Sequence, residues 1–334
     1  MKYKAGIIGL GQVGYLFDKD PKRKVVWTHF NAYRRNKKIK LSAVCDLNEK
    51  ILDRIKSENP DIKCYHSYSD MLKNENFDIL SVCTLEDSHY KIIRDIIKYQ
   101  KNIKAVFCEK PIASNLADAE KIVKLCREKG VKLAVNHNKR WDVHCVKIKN
   151  LIDKKKFGEL KSIVAYYDAK LFRSGIHFVD SITMFGGAAE AVIGFGRQGE
   201  FDDPSLNGII FLKSGIQGVL ISTGNFRHLD FSFELYFSQG KINILNNIGI
   251  IEYYRYKPAK YVENYSELFL AKREIIKPVS STFINAVENI IASIEGKSEL
   301  NCTGEDGYTS FEICCKIADS FKKNGKKIVL RKWE

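Results

Sequence analysis

The sequence predicts an α/β chain in which a doubly wound, parallel-sheet domain is followed by an α+β domain with a large, mostly antiparallel sheet. Three observations carry this. The apolar run Ala5–Ile8 leads straight into Gly9-Leu10-Gly11-Gln12-Val13-Gly14, a turn of G-x-G-x-x-G spacing. Apolar strands and amphipathic helices then alternate as far as Val135. From about Arg140 the pattern changes to strands of alternating polarity joined by short turns such as Ser238-Gln239-Gly240. The first two features are those of a Rossmann domain, so the expected organisation is residues 1–138 as a dinucleotide-binding domain and 139–334 as a substrate-binding domain.

Each glycine of the turn has a physical job. Gly9 permits the tight turn, Gly11 lets a pyrophosphate approach the backbone, and Gly14 lets the following helix pack close to the strand. The N–H groups and positive dipole end of that helix, with Gln12 and Val13 in its first turn, suit phosphates. Strand two, Ile39–Cys45, ends in Asp46, which is placed to hold the adenosine ribose or to cap the next helix. Its carboxylate would repel a 2′-phosphate, so NAD is expected rather than NADP. The spacing from Gly14 to Asp46 is longer than a minimal unit needs, and the surplus lies in the polar, proline-broken stretch Phe17–Lys24. Trp27-Thr28-His29-Phe30 and a helical stretch through Tyr33 follow.

The alternation continues with helix Leu47–Ser57, strand Ile62–Tyr65, helix Asp70–Lys73, strand Asp78–Cys83 and helix Asp87–Tyr99. Strand Lys104–Cys108, helix Leu116–Lys129 and strand Lys132–Val135 complete the domain. Ligands of such a sheet sit at the carboxyl ends of its strands, which here carry the glycine turn, Asp46, Thr84, Glu109-Lys110-Pro111 and Asn136-His137. In the second half a helix over Val143–Lys154 precedes strands at Leu160–Asp168, Glu190–Phe195, Gly208–Leu212, Gln217–Thr223, Phe231–Phe237 and Lys241–Leu245. Ser280 or Ser281 starts a helix over Phe283–Ile294, and Thr303 with Asp306 forms a capping-box pattern for the last one.

Composition narrows the function classes. The formal net charge is +15, but the lysines are scattered over helix faces and loops, as in Lys37-Lys38 and Lys322-Lys323, without the aromatic-interleaved stripe of a nucleic-acid surface. No nucleic-acid partner is expected, and the basic field would steer an anionic small molecule. No apolar run reaches the length of a membrane span, and Met1-Lys2-Tyr3-Lys4 leads into strand one rather than a signal peptide, so a cytoplasmic location is expected. The nine cysteines form no C-x-x-C pair, and Cys45, Cys83 and Cys108 close apolar strands; free core thiols are expected, and no metal.

At Glu109-Lys110-Pro111 the chain resembles the Gfo/Idh/MocA oxidoreductases, named after glucose–fructose oxidoreductase and inositol dehydrogenase. The supporting motifs come in order: the glycine turn, Asp46, Cys83-Thr84 with His89, Glu109-Lys110-Pro111, Asn138-Lys139-Arg140-Trp141, and Gly175-Ile176-His177-Phe178-Val179-Asp180. Glu234–Lys241 and Thr303–Gly307 resemble the family's late strand corner and the start of its last long helix. Pro111 biases Lys110 toward an extended backbone, and a partly desolvated lysine beside a cofactor titrates nearer neutrality and manages a hydroxyl proton. The resemblance implies Lys110 and His177 as catalytic groups. It implies Glu109 as a contact of the nicotinamide ribose or an orienter of Lys110, and Thr84, His89 and Lys110 itself as cofactor-side contacts. Asn138 and Asp180 fall in the implied substrate pocket, with Lys110 and His177 themselves. His29 is expected near the crevice in a cofactor-side or loop-structural role, whereas His137, His144 and His228 carry no such support.

One departure bears on substrate. Several family members place an aspartate or asparagine four positions before the motif histidine, where this chain has Arg173, and the segment leading to His177 is short. Arg173 either binds an anionic group of the substrate or is an exposed helix-start residue, and Lys170 is a further pocket candidate. The expected function is hydride transfer between NAD and a hydroxyl or keto carbon of a sugar or nucleotide sugar, in a homodimer or homotetramer paired through the second domain's sheet. The alternatives are a dehydrogenase of free polyols or dihydrodiols and a non-catalytic dinucleotide-binding regulator.

Overall fold

The computed structural model describes residues 2–196, 203–224, 231–277 and 281–331. His228 and Ser280 lie outside the described residues. The chain forms two compact units, residues 1–142 with 278–308 and residues 143–277 with 309–334. The single boundary expected after residue 138 therefore meets a chain that returns to its first unit after residue 277.

The first unit starts with β1 (Tyr3–Ile8), α1 (His29–Arg35), β2 (Ile39–Cys45), α2 (Glu49–Glu58), β3 (Lys63–Tyr65) and α3 (Tyr68–Asn74). It continues with β4 (Ile79–Val82), α4 (His89–Tyr99), β5 (Ala105–Cys108), α5 (Leu116–Glu128) and β6 (Lys132–Val135). Among the described residues the six strands form a parallel sheet in the order β3-β2-β1-β4-β5-β6. That order reverses between β1 and β4, and such a switch point is where doubly wound sheets bind ligands. Every residue of β4 and β5 is buried, as expected of strands covered on both faces. Thr28, Asn48, Ser67 and Asn115 cap α1, α2, α3 and α5 by accepting a backbone N–H two or three residues on.

One expectation needs correction. No α-helix begins at Gly14. The chain makes turns in which the N–H groups of Tyr15 and Leu16 donate to Gly11 O, passes through a 3-10 turn at Leu16–Lys19, and loops out. It returns at α1, where His29 N–H donates to Val13 O at 3.0 Å and Phe30 N–H to Gly14 O at 3.1 Å. The helix that the glycine turn opens is thus interrupted by residues 15–28 and resumed by α1. Asp18 closes the loop by accepting from Trp27 N–H, Thr28 Oγ1 and Asn31 Nδ2 at 2.6, 2.6 and 2.8 Å. This is the physical origin of the long spacing between Gly14 and Asp46.

The second unit contains α6 (Val143–Asp153), β7 (Leu160–Tyr167), α7 (Ile176–Gly186), β8 (Ala189–Phe195), β9 (Asn207–Leu212) and β10 (Gln217–Ser222). It goes on through β11 (Ser232–Phe237), β12 (Gly240–Leu245), β13 (Ile250–Pro258) and β14 (Ser266–Ile275). The chain then forms α8 (Thr282–Ile294), α9 (Gly304–Lys322) and β15 (Ile328–Val329). Among the described residues the nine-stranded sheet runs β14-β13-β12-β11-β7-β10-β9-β8-β15, antiparallel except between β7 and β10. Ser281 caps α8. The capping box of α9 is reciprocal: Asp306 N–H donates to Thr303 Oγ1 at 3.2 Å, and Asp306 Oδ2 accepts Thr303 N–H at 2.8 Å.

Candidate active site

The glycine turn follows β1. Gly9 has φ +94°, and a Cβ there would lie 2.7 Å from the carbonyl carbon of Cys83. At Gly14 a Cβ would lie 2.2 Å from the carbonyl oxygen of Gly9, so only glycine lets this turn close on itself. Gly11 differs: nothing lies within 4 Å of the point a Cβ would occupy. Among the described residues the N–H groups of Gly11, Gln12, Val13 and Gly14 meet no protein acceptor. Four successive donors without a protein acceptor, opening to free space at Gly11, suit an anion.

Asp46 stands beside the turn. Its Oδ2 accepts Leu10 N–H at 2.5 Å and its Oδ1 accepts Asn48 N–H at 2.8 Å. It therefore ties β2 to the glycine turn, and each oxygen keeps a second lone pair for a hydroxyl. Thr84 Oγ1 pairs with Ser88 Oγ at 2.7 Å. His89 is buried, with Nε2 3.0 Å from Thr84 O and Nδ1 3.2 Å from Ile112 O and 3.4 Å from Cys108 Sγ. Both ring nitrogens are engaged by the protein, and the ring pins the turn after β4 to the segment following Pro111. Burial pushes the thiols of Cys83 and Cys108 well up, so both stay protonated.

Glu109-Lys110-Pro111 follows β5, and the Lys110–Pro111 peptide is cis. Glu109 is buried, and its Oε1 accepts His29 Nε2–H at 2.9 Å and Asn136 Nδ2–H at 2.6 Å. Burial alone would raise its pKa. The hydrogen bonds from His29 and Asn136 and the Lys110 charge outweigh that, and hold the carboxyl below its usual range. His137 follows β6 and precedes a 3-10 turn at Asn138–Trp141. That turn is fastened to α8, with Trp141 Nε1–H donating to Asn289 Oδ1 at 3.0 Å and Asn285 Nδ2–H to Trp141 O at 2.9 Å.

Burial, with the charges of Arg140 and Lys110, lowers the pKa of His137 to about 3 from 6.5, against smaller opposing effects of Asp306 and Glu109. The unfolded chain takes up this proton below pH 6.5 while the folded chain does not. Stability is therefore fully present above that pH and is lost as pH falls toward 3. This one group should remove roughly 2 kcal/mol between pH 6.5 and 4.5. Equilibrium unfolding across that range should show a shallower loss for His137→Gln than for the wild type; equal slopes would contradict the assignment.

In the second unit, His177 and Asp180 sit one turn apart on α7, as their spacing predicts. Lys170 holds φ +66° at the head of the turn Leu171–Gly175 that leads into α7. The N–H groups of Phe172 and Arg173 both donate to the Asp203 carboxylate at 2.9 Å, and the Arg173 residue is exposed. Asp180 has no exposed surface, and its Oδ1 accepts Ser310 Oγ–H at 3.1 Å. A carboxylate so enclosed meets a ligand only after neighbouring groups move.

A sequence profile of the Gfo/Idh/MocA oxidoreductases, described as an oxidoreductase family with an NAD-binding Rossmann fold, matches residues 3–137. Over those residues the chain is similar to the NAD-binding domain of this family. Its glycine turn, switch point and Glu109-Lys110-Pro111 strand end fall inside the matched residues. An uncharacterized oxidoreductase, YrbE, of Bacillus subtilis is 30% identical over 156 residues, 46% of this chain. A myo-inositol 2-dehydrogenase of Thermotoga maritima is 26% identical over 156 residues, 47% of this chain. The match spans only 40% and 42% of those two proteins' own lengths. The whole fold is shared more widely. A putative NADPH-dependent oxidoreductase from Desulfitobacterium hafniense superposes with TM-score 0.80 at 17% identity, over 98% of this chain and 97% of its own. The WlbA dehydrogenase of Bordetella pertussis, solved with NADH and UDP-GlcNAcA, gives 0.77 at 18% identity over 99% of both chains.

Among the described residues no group of three or more His, Cys, Asp or Glu side chains is placed to hold a metal ion. No helix among them is long and apolar enough to cross a membrane. The interaction least visible in sequence is the one between His29 and Glu109. The only signal for it was a histidine just after the polar loop, which marked it as crevice-side and named no partner.

Proposed function

We propose that the protein is an NAD-dependent dehydrogenase that moves a hydride between nicotinamide and a hydroxyl or keto carbon of a sugar or nucleotide sugar. The observation that carries this is the open cradle at Gly11, whose four acceptor-free N–H groups fit a pyrophosphate. The donor set therefore fits a dinucleotide. Gly9, Gly11, Gln12, Val13 and Gly14 would hold its phosphates, Asp46 its adenosine ribose, and Thr84 and Glu109 its nicotinamide side, with His89 supporting that wall. When bound, the nicotinamide ring supplies the hydride chemistry. Lys110 Nζ holds and moves the hydroxyl proton, and His177 is the second acid–base group. Asn138 and Arg173 bind substrate, Arg173 through an anionic group, while Asp180 positions α7 from within.

Asp46 decides the choice of dinucleotide in this reading, because a carboxylate accepts ribose hydroxyls and repels a 2′-phosphate. Calorimetric titration should give NADH at least about tenfold tighter than NADPH, and Asp46→Asn should narrow that ratio. NADPH binding more tightly than NADH, or neither binding, would overturn it. A dehydrogenase of free polyols is the second reading, favoured by the likeness to a myo-inositol 2-dehydrogenase. Arg173, in place of an acid, favours an anionic substrate instead.

The proposal includes self-association through the sheet of the second unit. Its edge hairpin β13–β14 leaves Tyr256, Tyr261, Tyr265 and Ile275 exposed. A monomer mass by light scattering would remove that part.

A further inference from the structure

Five polar side chains of the first unit join end to end in its interior. Tyr33 Oη lies 2.7 Å from Ser81 Oγ, Ser81 Oγ lies 2.9 Å from His29 Nδ1, and His29 Nε2 lies 2.9 Å from Glu109 Oε1. Asn136 Nδ2 completes the series at 2.6 Å from the same Glu109 oxygen. None is more than 7% exposed, and His29 and Ser81 are wholly enclosed. Phe107 and Phe283 flank the imidazole at ring-centroid distances of 4.4 and 5.2 Å, which fixes its plane.

Hydrogen-bond accounting gives the series a direction. The Glu109 carboxylate only accepts, so His29 Nε2 carries a hydrogen. If His29 Nδ1 accepts from Ser81 and Ser81 accepts from Tyr33, each hydroxyl donates once and both hydroxyl hydrogens and the imidazole hydrogen find acceptors. The reverse order would have Nδ1–H donate to Ser81 and Ser81 donate to Tyr33, leaving the phenol hydrogen in the interior without an acceptor. Such a buried, unsatisfied donor is costly.

We infer that His29 is a positioning residue for Glu109, held by the Tyr33 and Ser81 hydroxyls in the tautomer that donates from Nε2. The chain fills Glu109 Oε1 with two protein donors and leaves Oε2 for a donor from outside it. A buried carboxylate deprived of these donors would tend to take up a proton instead. The interrupted helix explains how His29 reaches this place. α1 restarts on the carbonyls of Val13 and Gly14, so the segment that builds the phosphate-facing turn also delivers the imidazole to the Glu-Lys-Pro strand end.

The consequence for cofactor binding rests on the proposed function, whereas the tautomer does not. Nicotinamide fluorescence titrations should show NADH bound about tenfold or more weakly by both His29→Leu and Glu109→Gln. The double variant should be within about threefold of the weaker single one, because the two residues act as one unit. Wild-type affinity in His29→Leu, or effects that multiply in the double variant, would overturn the inference and leave the histidine as core packing. Nitrogen-15 imidazole shifts of the cofactor-free wild type, assigned through contacts to the Phe107 ring, should place the hydrogen on Nε2 and a lone pair on Nδ1. A hydrogen on Nδ1 would overturn it. This second measurement needs neither a folded variant nor a bound nucleotide, so it decides the relay even if NADH binding by the wild type fails and takes the functional proposal with it.

Discussion

Lys110→Ala should lower turnover by about 10²- to 10⁴-fold while leaving NADH affinity within about threefold of wild type. The size follows from what a positioned acid–base group contributes, and the split follows from the site's construction. In the proposed site the phosphates would meet backbone N–H groups of the glycine turn, which owe nothing to the lysine side chain. The hydroxyl proton, by contrast, has Lys110 as its partner in the proposed mechanism. Loss of turnover with intact binding supports that division of labour. Wild-type turnover on a genuine substrate would remove Lys110 from the chemistry.

The second large effect separates two glycines three residues apart. Gly11→Ala places a methyl group where no atom lies within 4 Å, so stability should stay within about 1 kcal/mol of wild type. The same methyl fills the cradle, and NADH affinity should fall by about tenfold or more. Gly14→Ala places its methyl 2.2 Å from a backbone oxygen that cannot rotate away, and should cost about 3 kcal/mol or more. Thermal unfolding and NADH titration on the two variants give a crossed result: one binds poorly yet folds well, and the other folds poorly. If Gly11→Ala binds NADH like the wild type, the open space is not the phosphate site.

Much of the first unit was legible because parallel strands covered on both faces read as short apolar runs. Ile79–Val82 and Ala105–Cys108 are two such runs, and they place Thr84 and Glu109 at strand ends. The surplus before Asp46 was also visible, but not its form. Resumption of the helix depends on His29 and Phe30 meeting carbonyls sixteen residues back, and no periodicity records such a contact. His89 occupies the expected motif position, yet its ring is held by the carbonyls of Thr84 and Ile112, which motif spacing cannot reveal. Asp180 shows the same limit. Its helix face was evident, whereas its enclosure depends on Ser310, which arrives 130 residues later.

The hairpin β13–β14 escaped the sequence reading for a different reason. A register shift between Tyr253 and Tyr254 breaks the two-residue period, and most of β14 is exposed, so no alternation marks it. The return of residues 278–308 to the first unit was hidden as well. The amphipathic face of α8 is plain in the sequence, but what it packs on is set by tertiary contacts such as Asn289 with Trp141.

The measurement that bears most directly on the central claim is near-ultraviolet absorbance of reduced nicotinamide. Purified protein would be mixed with NAD, and in parallel with NADP, against nucleotide sugars, free sugars and polyols. A rise is expected with NAD and a nucleotide sugar or sugar. A flat trace throughout, with no nicotinamide nucleotide released on denaturation and none bound on addition, would contradict it.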